Sequence, residues 1–417
     1  MPDGGAGDHR SAQEGRRPIR LPRSGEGRNR KDASSDARFP RFGLSRGLIV
    51  TYSTPVNEAE RRRNSSLDGL RGVAALAVVW AHAIEHLGLI PMDPLAGGMG
   101  VIVFFVLSGY LISRIVSRGP GGAQAYRSFV RRRAIRLGPV LVALTTIGPV
   151  LLVTLGHVSL PTALVHSALA LTQTTAFASA AGLAVHPLFG ATWSLTVEWT
   201  FYLAFPLAYW ALLRRTRRPI AAAATSASVA MALYVLGLLL PPRDFYFLPV
   251  ANLGAMLLGA ALGLAHQAGW EGPERLRLGI WPTGGLVMIA ILIFLPGSSL
   301  SWGYKLAVLP ASALSAAVVV NGCVGRHPVQ RLLGAKPLAG VGIRAYSLYL
   351  WNMPALWVAW RLTGSTSWST AGLALLILVP LVELSYRLLE APVLRGGSNA
   401  LRSPASPRPR PAALPTS

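Results

Sequence analysis

The hydrophobic positions of this chain form long continuous runs instead of the short amphipathic periods of a soluble protein. A helix of about twenty apolar residues crosses the hydrocarbon core of a bilayer. The pattern therefore predicts an all-α fold, a polytopic membrane helical bundle with about ten transmembrane helices. We place the predicted spans at 67–87, 99–117, 137–156, 192–212, 219–240, 249–267, 279–296, 304–323, 341–361 and 369–389.

The apolar segment 160–183 is rich in Thr, Ser, Gln and His, so it fits either an eleventh span or a helix lying at the membrane interface. Lys and Arg accumulate in cytoplasmic loops. If this segment does not cross, the arginine-rich loops 118–136 and 213–218 fall on one side, and the opposite loops contain a single Lys or Arg, Arg243. We therefore predict a multi-pass protein of the plasma membrane with both termini cytoplasmic.

Composition agrees with a membrane protein, because 52% of the 417 residues are hydrophobic and only 14% are charged. The net charge of +23 is not organised into a basic domain with interleaved aromatic residues, so we predict no nucleic-acid partner. The basic, Gly- and Ser-rich segment 1–63 predicts a disordered arm and 396–417 a disordered tail, which leaves 64–395 as the membrane domain. The single cysteine, Cys323, lies in an apolar run, so neither a disulfide framework nor a metal site is predicted.

The first predicted span carries Asp68, Arg71 and His82 along one side, with Glu85 and His86 at its outer rim. His82 follows Arg71 by eleven positions, which places both on one helix face about 16 Å apart along the axis. Such groups are costly in lipid unless they face a bundle interior or a wet cavity. They indicate either a structural tether between helices or a site, in which His82 is the natural general base.

A dense cationic cluster, Arg132, Arg133 and Arg136, opens the third span. Positive charge at a cytoplasmic helix end is explained by topology alone. It is explained equally well by phosphate binding, since guanidinium groups bind phosphate oxygens bidentately. Spacing does not decide between the two interpretations.

Two further spans carry polar stripes. Ser194, Glu198 and Tyr202 recur at every fourth position and so share one helix face. The carboxylate needs a partner there, which fits an internal salt bridge or a site. Ser347 and Tyr349 supply hydroxyl groups near the end of the chain. The sequence has no P-loop and no HExxH motif, and its one GxSxG string, at 43–47, lies in the basic arm, where no nucleophile elbow is predicted, which argues against an ATP-driven pump or a soluble-type hydrolase.

Taken in order, these patches resemble the acyltransferase-3 family of integral membrane acyltransferases. The resemblance covers about residues 64–395 and rests on the ordered motifs as a set. The matching segments are Leu67–Gly72 with His82, Phe104–Ile112, Arg132–Pro139, Trp193–Glu198, Tyr346–Trp351 with Pro354, and Glu390–Pro392.

The resemblance implies acyl transfer from cytoplasmic acyl-CoA to a hydroxyl on a sugar or other acceptor, within a lipid bilayer. It assigns catalysis to His82, Arg71 and Glu198, and donor binding to Arg132, Arg133 and Arg136. Acyl-CoA is then a substrate, and no permanently bound cofactor is expected. The remaining polar residues are expected to bind substrate: Asp68, Ser194, Tyr202, Ser347 and Tyr349.

The chain departs from the family pattern where Asn352 stands in place of a common His, so no proton-transfer role is expected there. Because no hydrolase-type domain follows the last predicted span, transfer is expected to finish within the membrane domain. We therefore predict a membrane O-acyltransferase, most plausibly an acetyltransferase acting on an envelope glycan or glycolipid. Two alternatives are an acyltransferase acting on a small secondary metabolite such as a macrolide, and a multi-pass transporter or exporter.

Overall fold

A computed structural model of the chain describes residues 58–213, 218–325 and 327–394. Within these ranges the fold is all-helical, and one isolated bridge between Pro94 and Pro296 is its only β-type pairing. The first eight helices are α1 (Glu58–Leu87), α2 (Ala96–Arg118), α3 (Ala123–Thr154), α4 (Leu160–Leu171), α5 (Thr175–Ala180), α6 (Pro187–Gly190), α7 (Trp193–Ala208) and α8 (Pro219–Leu238). The others are α9 (Pro242–Phe247), α10 (Pro249–Gln267), α11 (Glu274–Leu278), α12 (Trp281–Phe294), α13 (Leu309–Val324), α14 (Pro328–Leu333), α15 (Lys336–Ile343), α16 (Ala345–Thr363) and α17 (Trp368–Ser385). Single π-helical turns occupy Tyr209–Leu213, Tyr304–Val308 and Tyr386–Glu390.

Seven helical stretches of the described residues are long and apolar enough to cross a membrane. This finding confirms a polytopic helical membrane protein but not the predicted number of spans. The seven are α1 from Ser65, α2, α3, α8, α9 with α10, the turn before α13 with α13, and α17 with its continuation to Leu394. The predicted span at α7 continues without a break through the π-helical turn to Leu213, but it carries Glu198 and several other polar side chains. By contrast, α12 has 14 residues and reaches about 21 Å, short of the roughly 30 Å hydrocarbon core. The remaining one, α16, has 19 residues but carries more polar side chains.

The ambiguous segment 160–183 forms two short helices, α4 and α5, with a break at Gln173, where φ is 60°. The 12 residues of α4 extend about 18 Å, too short to span a bilayer. Ser167 on α4 donates a hydrogen bond to the Thr145 carbonyl of α3 (2.5 Å). The segment therefore does not form an eleventh spanning helix.

The last residues of the predicted arm, 58–63, belong to the first helix, because α1 begins at Glu58. Glu, Ala and Arg in this stretch are strong helix formers. The rest of the predicted arm, and the predicted tail, lie outside the described residues.

The helices that position the site pack closely through glycines. A Cβ at Gly109 of α2 would collide with the backbone of Met256 on α10, and one at Gly259 of α10 would collide with the backbone of Val106. Small residues allow this approach of two helices. Between α1 and α2, Gly97 lies against Ala81 and Gly100 against Ala74. The two helices are therefore antiparallel, and increasing residue number on α2 leads toward Arg71.

Candidate active site

A cavity of about 380 Å³ opens beside the Arg71 end of α1. Helices α1, α2, α3, α7, α15 and α16 and the last π-helical turn contribute its walls. We call it the arginine cavity, because Arg71, Arg133 and Arg136 all line it. The other polar residues of its lining are Asp68, Ser108, Ser194, Glu198, Tyr202, Tyr346, Tyr349 and Glu390. The structure thus collects most of the predicted site residues from segments that are far apart in the sequence.

Arg71 is held by a carboxylate on its own helix. Its Nη1 donates to Oδ1 of Asp68 at 2.9 Å, and both side chains are partly buried. The spacing of three residues places the two groups on the same face of α1. Asp68 therefore orients a guanidinium group that also faces the cavity.

The three predicted donor-binding arginines do not point the same way. Arg133 and Arg136 line the arginine cavity, whereas Arg132 lines a second cavity of about 450 Å³. Adjacent helical residues differ in direction by about 100°, which separates Arg132 from Arg133. The Arg133 guanidinium lies over the rings of Phe129 and Tyr202, 5.4 and 5.5 Å from their centroids. These contacts hold its plane in place.

The second cavity adjoins the first, since Ile115 lines both. Gln124, Ser128 and Arg132 follow one another at every fourth position of α3 and form a polar stripe along it. Trp210 lies opposite, and its Nε1 donates to the Val116 carbonyl at 3.2 Å. The cavity therefore combines a fixed aromatic ring, hydrogen-bonding side chains and a cation.

Glu198 lies among the arginines and not beside the histidine. Its carboxylate accepts hydrogen bonds from Ser108 (2.9 Å) and from Tyr202 (3.1 Å). Ser108 lies eight residues beyond Gly100 on α2, or about 12 Å nearer the Arg71 end of α1. Glu198 therefore lies at a different depth from His82. The start of α7 is inside the bundle, with Trp193 packed on Phe105.

Of the remaining residues with predicted hydroxyl roles, two line the cavity and one lies behind it. Ser194 and Tyr349 both line the cavity and hydrogen-bond each other at 2.8 Å. Ser347 is buried outside the lining, where it bonds Ser385 (2.8 Å) and donates to Glu390. Glu390 itself lines the cavity. Ser347 therefore supports the cavity through Glu390 and does not line it.

His82 lies outside the cavity lining, one helical turn beyond Tyr349. Its Nδ1 is 2.5 Å from Oδ1 of Asn352, and Asn352 follows Tyr349 by three residues on α16. Sequence reasoning missed Asn352 as a partner of His82, as it missed the roles of Ser108 and Glu390 in the cavity lining. All three lie inside motifs that the sequence analysis singled out, but their contacts join residues 43 to 270 positions apart.

An all-helical membrane protein with an arginine-lined cavity beside a partly buried carboxylate fits an acyltransferase, and the comparisons with known proteins agree. The model of the acyltransferase-3 family, described as an acyltransferase domain, matches residues 64–386. The chain belongs to this family. Membership favours the enzyme interpretation over the transporter interpretation.

Two relatives give the range of similarity. O-acetyltransferase OatA of Staphylococcus aureus (strain NCTC 8325) is 27% identical over 369 residues, which cover 80% of this chain and 58% of that protein. A putative O-acetyltransferase of Staphylococcus aureus (strain COL) is 25% identical over 357 residues, with the same coverage of each chain. The chain therefore spans somewhat more than half the length of these relatives. No solved structure matches it.

Proposed function

We propose that this enzyme transfers an acyl group, acetyl by analogy with its named relatives, from acyl-CoA to a hydroxyl of a sugar-containing acceptor such as an envelope glycan or glycolipid. The observation that supports this most strongly is the cavity that brings Arg71, Arg133 and Arg136 together beside Glu198. CoA carries its negative charge on phosphate groups, and guanidinium groups bind phosphates through paired, charge-assisted hydrogen bonds. Acyl-CoA is used as a substrate and is not retained.

The donor is proposed to enter from the cytoplasm of a cell whose plasma membrane holds the enzyme. Two of the cavity arginines, Arg133 and Arg136, lie in the basic stretch 118–136, most of which forms the start of α3. Excess Lys and Arg marks cytoplasmic loops. Both termini are then cytoplasmic, and His82 lies toward the outer face, on the side from which an envelope acceptor approaches.

Arg71 and His82 are proposed to contact different parts of the donor. They are separated by about 16 Å along α1, so both cannot contact one thioester group. The arginines are assigned to the CoA phosphates. The extended pantetheine arm then carries the thioester past Ser194 and Tyr349 toward His82. Glu198, held by Ser108 and Tyr202, balances the cationic wall and fixes its geometry.

The second cavity is proposed to receive the adenosine end of CoA. Trp210 offers a ring for stacking, Gln124 and Ser128 offer hydrogen bonds, and Arg132 offers a cation for phosphate. The shared wall at Ile115 lets one ligand occupy both cavities. Arg132 therefore retains its proposed role in donor binding, but at the other end of the nucleotide from Arg71.

The proposed reaction needs one base and no metal. His82 takes the proton of the acceptor hydroxyl while that oxygen bonds to the thioester carbonyl carbon. The carbon–sulfur bond then breaks, and the histidine returns the proton to the departing CoA sulfur. A base of this kind contributes about 10²–10⁴-fold to the rate.

The acceptor class is tested with intact cells and with purified enzyme. Mass spectrometry of envelope glycans and glycolipids should show an acyl group that disappears in a deletion strain and returns with the wild-type gene. Purified enzyme in proteoliposomes should transfer label from radioactive acetyl-CoA to the same fraction. Unchanged glycans together with a missing acylated secondary metabolite would redirect the proposal to a small-molecule acceptor.

A further inference from the structure

His82 of α1 and Asn352 of α16 face each other inside the bundle. Oδ1 of Asn352 lies 2.5 Å from Nδ1 of His82, and only 3% of Asn352 is exposed. In a buried pair of this kind each polar atom needs a definite donor or acceptor. The contacts of the amide group determine which atom of the pair donates and which accepts.

The amide nitrogen of Asn352 is committed to its own helix. Nδ2 donates to the carbonyl oxygens of Leu348 (3.2 Å) and Tyr349 (2.5 Å). Turning the amide over would set its oxygen against these two acceptors, which is unfavourable because none of the three carries a proton. The geometry therefore presents Oδ1, a pure acceptor, to the histidine.

An acceptor at that position requires a proton on Nδ1 of His82. A neutral imidazole carries one proton on its two nitrogens, so Nε2 is left with a free lone pair. Which nitrogen is protonated is set by the hydrogen bond that the other makes. An uncharged amide achieves this without bringing a negative charge next to the ring.

We propose that Asn352 is a positioning residue: it locks neutral His82 into the tautomer with Nδ1–H and a free Nε2, and it fixes the direction in which that lone pair points. The inference rests on the proposed function only for the use made of Nε2, which is the atom that accepts the acceptor's hydroxyl proton and later returns it to the CoA sulfur. Throughout that cycle the proton on Nδ1 stays hydrogen-bonded to Asn352.

The tautomer is measured without any activity assay. Protein labelled with ¹⁵N-histidine is placed in lipid bilayers, and solid-state NMR is recorded at a pH where the ring is neutral. The His82 signals are those that vanish in His82→Gln. We expect a protonated Nδ1 and an unprotonated Nε2. A protonated Nε2 in the wild-type enzyme overturns the proposal.

Asn352→Leu removes both hydrogen-bonding groups at similar size, and Met353→Leu on the same helix is the matched control. In Asn352→Leu the His82 signals should become a mixture of the two tautomers. Its kcat should fall about 10- to 100-fold, the loss seen when a partner that orients a metal-bound histidine is removed. KM for acetyl-CoA should change little, since the arginine cavity is untouched.

A purely structural role of Asn352 predicts different results for the Leu variant. If Asn352→Leu folds and retains the wild-type tautomer at His82, the proposal is wrong even if activity falls. Should Asn352→Leu fail to fold, the wild-type spectrum alone still decides. Full activity of a His82→Ala variant would contradict the proposed function, whereas the tautomer result would stand independently.

Discussion

Arg71 and His82 share one face of the first helix, yet only Arg71 lines the arginine cavity. His82 is bonded instead to Asn352, one turn beyond Tyr349 in the cavity lining. The same helix therefore places an Asp–Arg pair in the cavity and a histidine bonded to a neutral amide outside it. Under the proposed function, this separation lets one short segment serve both an anionic donor and an uncharged hydroxyl acceptor.

Replacing Arg133 or Arg136 with Ala should raise KM for acetyl-CoA on the order of tenfold, since each lost charge-assisted contact is worth about 1.5–3 kcal/mol. KM for the acceptor should change much less. Lys at position 133 should restore only part of the affinity, because its ammonium group cannot form the paired hydrogen bonds or the planar stacking of a guanidinium group. Steady-state kinetics in proteoliposomes measures this. The control is Arg131→Ala, on the same basic stretch. If donor KM is unchanged in both Ala variants, the cluster only marks the cytoplasmic side of the membrane.

Arg132→Ala and Trp210→Ala test the second cavity with a truncated donor. Both variants should raise KM for acetyl-CoA several-fold and leave the reaction with S-acetylpantetheine unchanged, because that donor lacks the adenosine and the phosphates. The ratio of kcat/KM for the two donors is the measurement. Equal losses with both donors would place the adenosine elsewhere.

Glu198→Gln should lose most activity at a normal expression level. Gln keeps the shape and much of the hydrogen bonding to Ser108 and Tyr202, but it removes one of the negative charges that balance the cavity arginines. Tyr202→Phe removes one hydrogen bond to the same carboxylate and should have a smaller effect. Transfer assays on matched amounts of membrane protein compare the two. A fully active Gln variant would leave Glu198 as a packing residue.

Sequence reasoning succeeded where one helix sets the geometry. The three-residue spacing of Asp68 and Arg71, and that of Arg133 and Arg136, is enough to put each pair on one face, as the structure has them, because α-helical periodicity is a local property. The same periodicity could have separated Arg132 from Arg133, and Gln124 and Ser128 were the signal for a second stripe.

Sequence reasoning failed where the packing of several helices sets the geometry. The depth of Glu198 depends on how α5 and α6 stack beside the start of α7. The pairing of His82 with Asn352 joins residues 270 positions apart. Neither relationship leaves a periodic trace in the sequence.

His186 should make the protein acid-sensitive. Burial, and then the neighbouring His166, lower the pKa of His186 from 6.5 to about 4. The unfolded chain therefore takes up the proton first, and the free energy of unfolding falls as pH drops from about 6.5 toward 4. The neutral Nδ1 accepts a hydrogen bond from the Leu188 N–H (3.2 Å) at the start of α6, which a protonated Nδ1 cannot do.

His186→Asn tests this acid sensitivity, since Asn is a good residue at a helix start and does not titrate in this pH range. The difference in Tm between pH 7 and pH 5, measured in detergent, should be smaller for the variant than for wild type. His157→Asn is the matched control, because His157 is exposed and Asn tolerates its positive φ of 53°. A His186→Asn variant that is as acid-sensitive as wild type contradicts the assignment.

The most direct measurement is the initial rate of acetyl transfer from labelled acetyl-CoA by His82→Ala, beside His86→Ala as the control. His86 is exposed on the same helix, with its ring 5.8 Å from that of His82. The account predicts that His82→Ala inserts into the membrane and binds acetyl-CoA normally but transfers about 10²–10⁴-fold more slowly. His86→Ala should stay near the wild-type rate. A His82→Ala enzyme that transfers acetyl groups at the wild-type rate would contradict the account.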